Sequence, residues 1–205
     1  MTTKKALVLL ADGSEEMEFV IPVDIFRRAE IRVTTAGVGL KNGTYAECSR
    51  GVKILPDVEV EHVGVSWNEE DYDAIVIPGG AGGAKILSEN AQVTRLVSSF
   101  YEKQKVVAFI CAGTLVAKAA NIPDGHKVTS HPSVKQELEE SKYHEQNDIM
   151  DSYRYSEDRV VVDQNIITSR GPGTAFLFAL TIVEKLVGKE VVEKISPPML
   201  LPQSL

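Results

Sequence analysis

The chain has 205 residues, of which 43% are hydrophobic and 25% are charged, a balance typical of a soluble globular protein. Its length is sufficient for one sizeable core, and we predict a single domain over residues 1–205. The net charge of −7 argues against a nucleic-acid-binding surface, and the apolar runs are too short for a membrane span, so neither partner is expected.

The cysteine content favours a reducing compartment. Only Cys48 and Cys111 are present, so no disulfide framework is suggested. The first residues contain a short apolar run but no small-residue cleavage site, and we interpret them as the start of a strand. We therefore expect a cytoplasmic protein, and a mass of 22.4 kDa leaves entry into the nucleus open.

The first half of the chain alternates between strand and helix patterns. Residues 5–11 form a continuous apolar run, which is typical of a strand buried on both faces. Residues 14–30 have acids at the start and arginines near the end, which matches the dipole of a helix, and Pro22 predicts a kink. Residues 31–37 alternate like a second strand, and residues 45–57 are predicted to form two short strands around an Arg-Gly turn.

The second half continues this alternation. A third buried strand is predicted over 72–80, followed by a helix over 88–104 with its first residue as the N-cap. The apolar run 106–110 predicts a central strand. Residues 157–173 are interpreted as a hairpin, and residues 174–188 as a helix closed by glycine. Strands that alternate with helices indicate an α/β fold, a mostly parallel sheet with helices on both faces.

The remaining polar features are interpreted as structural. Segment 133–156 is polar and charged, and we predict a helix plus a surface excursion, not core. His62, His126 and His144 lie in polar sequence without metal-ligand spacing, so no metal is expected. Cys48 is assigned to an edge strand with a structural role.

Unusual residues follow the carboxyl ends of four predicted strands, where sites form in open α/β sheets. The segments are ADGSEEME, PGGAGG, CAGT and SRGPGT. Their glycines allow backbone amides to approach a ligand closely. None is a phosphate-binding loop, and GGAGG differs from the dinucleotide-binding pattern G-x-G-x-x-G, so no cofactor is expected.

Cys111 lies between the apolar run and a small-residue helix, and two interpretations are open. Free cysteine is often a small buried hydrophobe. Alternatively, a sharp strand-to-helix turn exposes the sulfur as a nucleophile, and the helix N-terminus stabilises its thiolate. The amides of Ala112 and Gly80 could then form an oxyanion hole.

A cysteine nucleophile needs a group that accepts or orients a proton. Glu15, Glu16 and Glu18 follow the first strand, so one of them could turn into the site, or all three could face water and complement the helix dipole. His131 lies twenty residues after the cysteine, which suits the end of the next strand or a turn before a proline.

Five separated motifs together carry a family resemblance. ALVLLADGSEEMEFVIPVDIFRRA, IVIPGG, ICAG, VTSHP and ITSRGPGTAFLFAL occur in this order. They resemble the DJ-1-like branch of the DJ-1/PfpI superfamily, and the similarity extends from about residue 4 to residue 197. The resemblance implies a flavodoxin-like, doubly wound sandwich and a homodimer.

The resemblance also implies roles for individual residues. Cys111 matches the family's reactive elbow cysteine, and Glu18 matches the glutamate that hydrogen-bonds its sulfur in protonated form. His131 matches a histidine near the cysteine, and Gly80 and Ala112 match the amide donors of the oxyanion pocket. The resemblance further places three residues at the pocket, its rim or the dimer contact: Arg50, Arg170 and Pro172.

The activity implied by the resemblance is that of a glutathione-independent glyoxalase. Such a lyase converts methylglyoxal, or another small 2-oxoaldehyde, and water to lactate without a cofactor, here through a hemithioacetal on Cys111. Protein deglycation is a further activity of the family. The alternative is an oxidative-stress sensor or chaperone-like protein that acts through a Cys111 sulfinate.

Two further positions depart from the motifs of this branch. Ala81 and Thr114 stand where relatives often carry asparagine and proline, which bears on substrate preference. Peptidase-like members carry a histidine directly after the cysteine, and Ala112 at this position argues against peptidase activity.

Overall fold

The fold is built around one sheet of mostly parallel strands. The computed structural model describes residues 3–62, 71–140, 142–143 and 150–202. Its strands are β1 (Lys5–Ala11), β2 (Arg32–Val38), β3 (Ala46–Glu47), β4 (Lys53–Ile54), β5 (Val58–Glu59), β6 (Ala74–Ile77), β7 (Val106–Ile110), β8 (Lys127–Val128), β9 (Lys142–Tyr143), β10 (Met150–Asp151), β11 (Arg154–Tyr155), β12 (Val160–Asp163) and β13 (Ile166–Ser169). The main sheet has the order β12-β13-β7-β6-β1-β2-β5, and within it β12 runs antiparallel to β13.

Helices cover both faces of this sheet. They are α1 (Glu16–Arg28), α2 (Ala81–Glu89), α3 (Ala91–Glu102), α4 (Leu115–Ala119), α5 (Lys135–Glu139), α6 (Ala175–Val187) and α7 (Lys189–Ile195). Phe26 of α1 and Phe178 of α6 belong to one hydrophobic cluster, and Phe100 of α3 and Val116 of α4 belong to the other. The predicted α/β sandwich is therefore confirmed.

The central strand β7 shows why the sheet is buried on both faces. Ala108 and Ile110 pack into the cluster beneath α1 and α6, whereas Val107 and Phe109 pack into the cluster beneath α3 and α4. Successive side chains of a strand point to opposite faces, so a continuous apolar run is needed where both faces are covered.

The register of the central strands aligns their carboxyl ends. In β6, Ile77 pairs with Phe109 of β7, and on the other side Ser169 of β13 pairs with Ile110. The chain segments that leave these strands therefore emerge next to one another. This edge of the sheet carries the residues discussed below.

The predicted helix over 88–104 is wrong at its start. The structure has α2 and α3, separated by Asn90, whose side-chain oxygen accepts hydrogen bonds from the amides of Gln92 and Val93, each at 3.0 Å. Asn90 is the N-cap of α3, and Ser88 lies in the last turn of α2.

Helix α2 was not predicted because its first turn contains Gly82 and Gly83, which disfavour helices. The structure supplies the reason for one of them. A Cβ at Gly83 would lie 2.5 Å from the Ser14 Oγ, so only glycine permits this helix to pack against the loop that follows β1. Close packing therefore outweighs the low helix propensity.

Segment 133–156 contributes to the core more than predicted. Leu138 of α5 is buried, and Tyr153 is buried with its hydroxyl donating to the Ile122 carbonyl at 2.8 Å. Leu138 lies on the face of the short helix α5 that packs against the core, which explains its burial. Residues 141 and 144–149 of this segment, including His144, lie outside the described residues.

His126 is also more buried than its polar sequence suggested. Its Nε2 lies 2.8 Å from the Tyr101 hydroxyl, and its Nδ1 lies 3.4 Å from the Asp163 carboxylate. These partners come from α3 and β12, which the sequence did not place beside it. His126, which directly precedes β8, thus connects α3 with β12 at the end of the sheet opposite to the aligned carboxyl ends.

The other predicted elements are confirmed within a few residues. Helix α1 begins at Glu16 and passes through Pro22 to Arg28. Strands β3 and β4 form an antiparallel pair, and β12 and β13 form the predicted hairpin. Helix α6 ends at Val187 and is capped by Gly188, whose φ of 95° is favoured by glycine.

Candidate active site

Cys111 occupies a sharp turn directly after β7. Its φ of 61° lies in the left-handed region that non-glycine residues rarely adopt. A Cβ at Gly113 would lie 2.5 Å from the Pro78 carbonyl oxygen, so the turn needs glycine two residues later. The side chain of Cys111 is buried but reaches the wall of an open cavity. This geometry is that of a nucleophile elbow.

Glu18 lies beside this cysteine in the first turn of α1. Its side chain is fully buried, and its Oε2 accepts a hydrogen bond from the Gly79 amide at 2.8 Å. The carboxyl also forms a hydrogen bond with Cys111. A Cβ at Gly79 would lie 2.6 Å from both the Cys111 Cβ and the Glu18 Oε2, so a glycine here lets the two side chains meet.

Two backbone amides face the sulfur. The amides of Gly80 and Ala112 both donate to Cys111, one from the start of α2 and one from the elbow itself. Gly80 has a φ of 83°, and its position beside Gly13 leaves no room for a side chain. The arrangement provides donors for a negative charge on sulfur or on an oxygen bound next to it.

Burial is the main reason why the pKa of Glu18 lies above its ordinary value. It raises the pKa of this carboxyl to about 7, against the opposing hydrogen bonds from Cys111 and Gly79. The charge of Glu15 raises it further. Near neutral pH a large part of Glu18 is therefore protonated and able to donate a proton.

Burial also raises the pKa of the Cys111 thiol to about 12, and the negative charge of Glu18 adds to this rise. The amides of Ala112 and Gly80 act in the opposite direction. Protonation of Glu18 removes its charge, so the two groups compete for the same proton. A thiolate at Cys111 is stabilised when the proton resides on Glu18.

The neighbouring acids have different partners. Glu15 is the N-cap of α1, where its carboxylate accepts from the Glu18 amide at 2.9 Å. Glu16 accepts from the Ser49 hydroxyl at 2.9 Å and from the Arg50 amide at 2.8 Å. Of the three acids that the sequence left open, Glu18 is the one that contacts the cysteine.

His131 lines the same cavity, but it does not follow a strand of the main sheet. Strand β8 ends at Val128 and pairs with β11, and His131 caps a short 3₁₀ turn at 132–134. Its Nδ1 lies 2.7 Å from the Ser133 hydroxyl and accepts from the Ser133 amide at 3.2 Å. These bonds assign the proton of the neutral ring to Nε2.

The three residues expected at the pocket are placed differently. Arg50 and Pro172 line the cavity. Arg170 is not among the described residues that line the cavity. Its guanidinium instead pairs with the Glu157 carboxylate at 2.5 Å and donates to the Ser130 carbonyl at 3.4 Å. Arg170 therefore supports the segment that precedes His131.

Thr114 connects the elbow to this same segment. Its buried hydroxyl donates to the Thr129 carbonyl at 3.1 Å. Ala81, the other departure from the motifs, is an exposed residue of the cavity wall at the start of α2. The pairing of Thr114 with a residue fifteen positions away carries no signal in the sequence.

The cavity has a volume of about 1090 Å³ and extends well beyond the cysteine. Segments after β1, β6, β7 and β13 all contribute to it, as the pattern of strand ends indicated. Sequence reasoning missed its far walls, which belong to α2, α4 and α5. The spacing by three or four positions within α2 and α4 could have shown that lining residues share a face of each helix, although not that these faces enclose a cavity with α5: Ala84, Lys85, Ser88, Leu115 and Lys118.

Within residues 3–62, 71–140, 142–143 and 150–202, no cluster of three or more His, Cys, Asp or Glu side chains could hold a metal ion. Among these residues no helix has both the length and the apolar character to cross a bilayer.

Comparison with known proteins assigns the family. The profile of the DJ-1/PfpI family matches residues 4–185. The chain belongs to this family. The Parkinson disease protein 7 homolog of Danio rerio is 44% identical over 201 residues, which cover 98% of this chain and 99% of the relative.

Two further relatives support this membership. The glutathione-independent glyoxalase DJ-1 of Schizosaccharomyces pombe is 36% identical, and the match covers 97% of this chain and 99% of the relative. The crystal structure of Drosophila melanogaster DJ-1beta has a TM-score of 0.85 at 42% identity and covers 98% and 100% of the two chains. The resemblance drawn from five motifs is thereby confirmed, together with the flavodoxin-like fold of the family.

Proposed function

We propose that this protein is a glutathione-independent glyoxalase, a lyase that converts methylglyoxal and water to lactate. The observation that carries the proposal is the pair formed by Cys111 and the buried Glu18, with the Gly80 and Ala112 amides facing the sulfur at the wall of an open cavity. The name of the S. pombe relative as a glutathione-independent glyoxalase supports the same chemistry.

The first step is addition of the Cys111 thiolate to the aldehyde carbon, C1. A carbon–sulfur bond forms, and the electron pair of the C1 carbonyl moves to its oxygen. The Gly80 and Ala112 amides stabilise this oxyanion, and Glu18 gives it a proton. The product is a hemithioacetal, and Glu18 is left as a carboxylate.

The second step moves hydrogen from C1 to C2. The Glu18 carboxylate removes the proton on C1, while His131 donates from Nε2 to the C2 oxygen, and an enediol results. Glu18 returns its proton to C2, and His131 recovers a proton from the C1 oxygen. C1 is oxidised to a thioester and C2 is reduced to a secondary alcohol, so no external oxidant is required.

Water completes the reaction. It adds to the thioester carbon and gives one proton to the Glu18 carboxylate. The carbon–sulfur bond breaks, lactate and the second proton leave, and the Cys111 thiolate and the protonated Glu18 are both restored. The carbonyl oxygen of the thioester meets the same two amides as the first oxyanion. Deglycation of proteins would use this same addition to an aldehyde-derived adduct, and we include it in the proposal as a secondary activity.

The test measures lactate from methylglyoxal in the absence of glutathione and added metal. We expect the wild-type protein to form lactate and Cys111→Ser to lose at least about a thousandfold in kcat/KM, since the serine hydroxyl is a much weaker nucleophile here. Cys48→Ser is the matched control and should retain activity. Lactate formation at an equal rate by Cys111→Ser would refute the proposed nucleophile.

The second candidate is an oxidative-stress sensor, favoured by the same amides at the sulfur. A thiolate that reacts with two molecules of peroxide becomes a sulfinate with release of two molecules of water. The Gly80 and Ala112 amides and a protonated Glu18 would stabilise the sulfinate oxygens. Intact mass after mild peroxide, with a gain of two oxygens at Cys111 and no turnover of methylglyoxal, would favour this candidate.

We also propose a homodimer and a cytoplasmic location. The Ser49 hydroxyl, between β3 and β4, donates to the Glu16 carboxylate and so holds this hairpin beside α1. Exposed apolar side chains lie on α1 and on or next to the hairpin: Met17, Val20, Val52 and Leu55. A second copy of the chain is the occupant that would cover them. Both cysteines are free thiols, in keeping with the reducing compartment.

A further inference from the structure

The cavity is much larger than methylglyoxal requires. Its volume of about 1090 Å³ matches the upper end of sites that enclose drug-sized molecules, roughly 300–1,000 Å³. A three-carbon oxoaldehyde held between Cys111 and the Gly80 amide would occupy a small part of this space. The rest of the cavity extends away from the reacting atoms.

Two helices set the direction of this extension. Both α2 and the turn that leads into α4 begin beside Cys111, and both helices contribute lining residues along their length. Helix α2 has nine residues, so its wall is about 13 Å long at 1.5 Å per residue. The space is therefore a groove that begins at the sulfur and follows the two helices.

The lining changes in character along the groove. Ala84 of α2 and Leu115, the first residue of α4, line the groove with apolar side chains, and Lys85 lines it in the same turn as Ala84. One turn further along the same helices, Ser88 and Lys118 line it with polar side chains. A ligand that follows the groove meets the apolar side chains of Ala84 and Leu115 first and the polar side chains of Ser88 and Lys118 one turn later.

The third wall of the groove is fixed in place. Lys118 donates to the Glu137 carbonyl at 2.5 Å and to the Glu140 carbonyl at 3.1 Å, and thus binds the carboxyl end of α5 to α4. Leu138 anchors the same helix in the core. The groove is therefore largely formed before a ligand enters, which lowers the ordering cost of binding.

We propose that this groove is a subsite for the substituent of the substrate, and that the protein acts on 2-oxoaldehydes with an extended, mainly apolar substituent in preference to methylglyoxal. This inference rests on the proposed glyoxalase function, in which the aldehyde carbon is held at Cys111. The substituent on C2 would lie along Ala84 and Leu115 and reach towards Ser88.

The experiment compares pentylglyoxal with methylglyoxal as substrates. For the wild type we expect a KM for pentylglyoxal roughly tenfold or more below that for methylglyoxal. The substitution Ser88→Ala leaves the groove open, whereas Ser88→Leu and Ser88→Trp fill it by increasing amounts. The ratio of kcat/KM for pentylglyoxal to that for methylglyoxal should fall in this order, by roughly tenfold or more for Ser88→Trp. Glu102→Trp, on α3 outside the groove, should leave the ratio unchanged.

A second readout does not depend on turnover. The corresponding hydroxy acids, 2-hydroxyheptanoate and lactate, are tested for protection of Cys111 against alkylation. We expect the longer acid to protect the wild type at lower concentration than lactate, and to lose this advantage in Ser88→Trp.

The outcomes separate the two proposals. Turnover of both substrates with a ratio that Ser88→Trp does not change would overturn the subsite and leave the glyoxalase function intact. No turnover of either substrate would overturn the glyoxalase function, and the protection measurement would then decide the subsite. Equal protection by both acids in the wild type would overturn it.

Discussion

Two carboxyl groups in the first turn of α1 have opposite electrostatic environments, although both are buried. Burial dominates at Glu18 and raises its pKa to about 7. At Glu16 burial also raises the pKa, but hydrogen bonds from its own amide, the Ser49 hydroxyl and the Arg50 amide lower it overall. Glu18 therefore tends to hold a proton, and Glu16 tends to remain an anion.

This difference predicts the effect of pH on stability. The folded state holds the Glu18 proton more tightly, so the stabilising contribution of this group is full below about pH 4.5 and is lost as the pH rises to about 7. The change amounts to about 3 kcal/mol. Glu18→Gln removes it, so the unfolding free energy of the variant relative to the wild type should increase over this window. Urea denaturation at several pH values measures the difference.

Glu16→Gln is the matched control and should show the opposite sign. Because the pKa of Glu16 is lowered, its contribution is present above about pH 4.5 and is lost as the pH falls, and the variant should be less stable than the wild type at neutral pH. Parallel stability curves for Glu18→Gln and the wild type would show that the Glu18 carboxyl is not destabilised by burial.

At the scale of elements, the boundary between α2 and α3 decides where a helix cap lies. Asn90→Ala removes the acceptor for two amides and should lower the unfolding free energy by about 1 kcal/mol. Ser88→Ala, at the position that the sequence favoured, should change it by less than about 0.5 kcal/mol. Thermal and urea unfolding compare the two variants, and equal losses would contradict the assignment of the cap.

Strand β7 and helices α1 and α2 show how much of the fold could be predicted from the sequence. The continuous apolar run 106–110 was sufficient to place β7 at the centre of the sheet and Cys111 at its end, because this pattern depends on local composition. Helix α2 was missed, since its stability depends on contact between Gly83 and Ser14. The choice of Glu18 among three acids needed the family resemblance, because spacing alone does not determine how α1 is rotated.

The candidate site shows the same limit. Its cysteine and its two amide donors follow strand ends, so the sequence could indicate them. Lys118 and Glu137 line the far walls only because α4 and α5 pack together, and they are nineteen residues apart. Such contacts depend on tertiary packing and leave no local pattern.

At the scale of the whole molecule, the exposed apolar side chains of α1 predict self-association. Met17 is 48% exposed and Val20 is 47% exposed, and we expect a solution mass of twice the 22.4 kDa protomer. Met17→Glu should shift the mass towards that of the protomer, since a charge at the centre of an apolar contact is costly. Light scattering after size exclusion measures it.

The control for this prediction uses another exposed apolar residue. Val162 on the edge strand β12 is 49% exposed and lies away from α1, so Val162→Glu should leave the mass unchanged. A wild-type mass equal to that of the protomer would contradict the proposed dimer.

The close packing of glycines around the sulfur has a consequence for how members of this fold diverge. Gly79, Gly80 and Gly113 leave no space for a side chain, so the reacting end can hardly be reshaped by substitution. Ser88, in contrast, is only partly buried and lines the open cavity, so a larger side chain there would extend into the cavity and not into the core. New substrate preferences in this family should therefore arise from substitutions on the outer wall of the cavity, while the residues around the Cys111 sulfur stay unchanged.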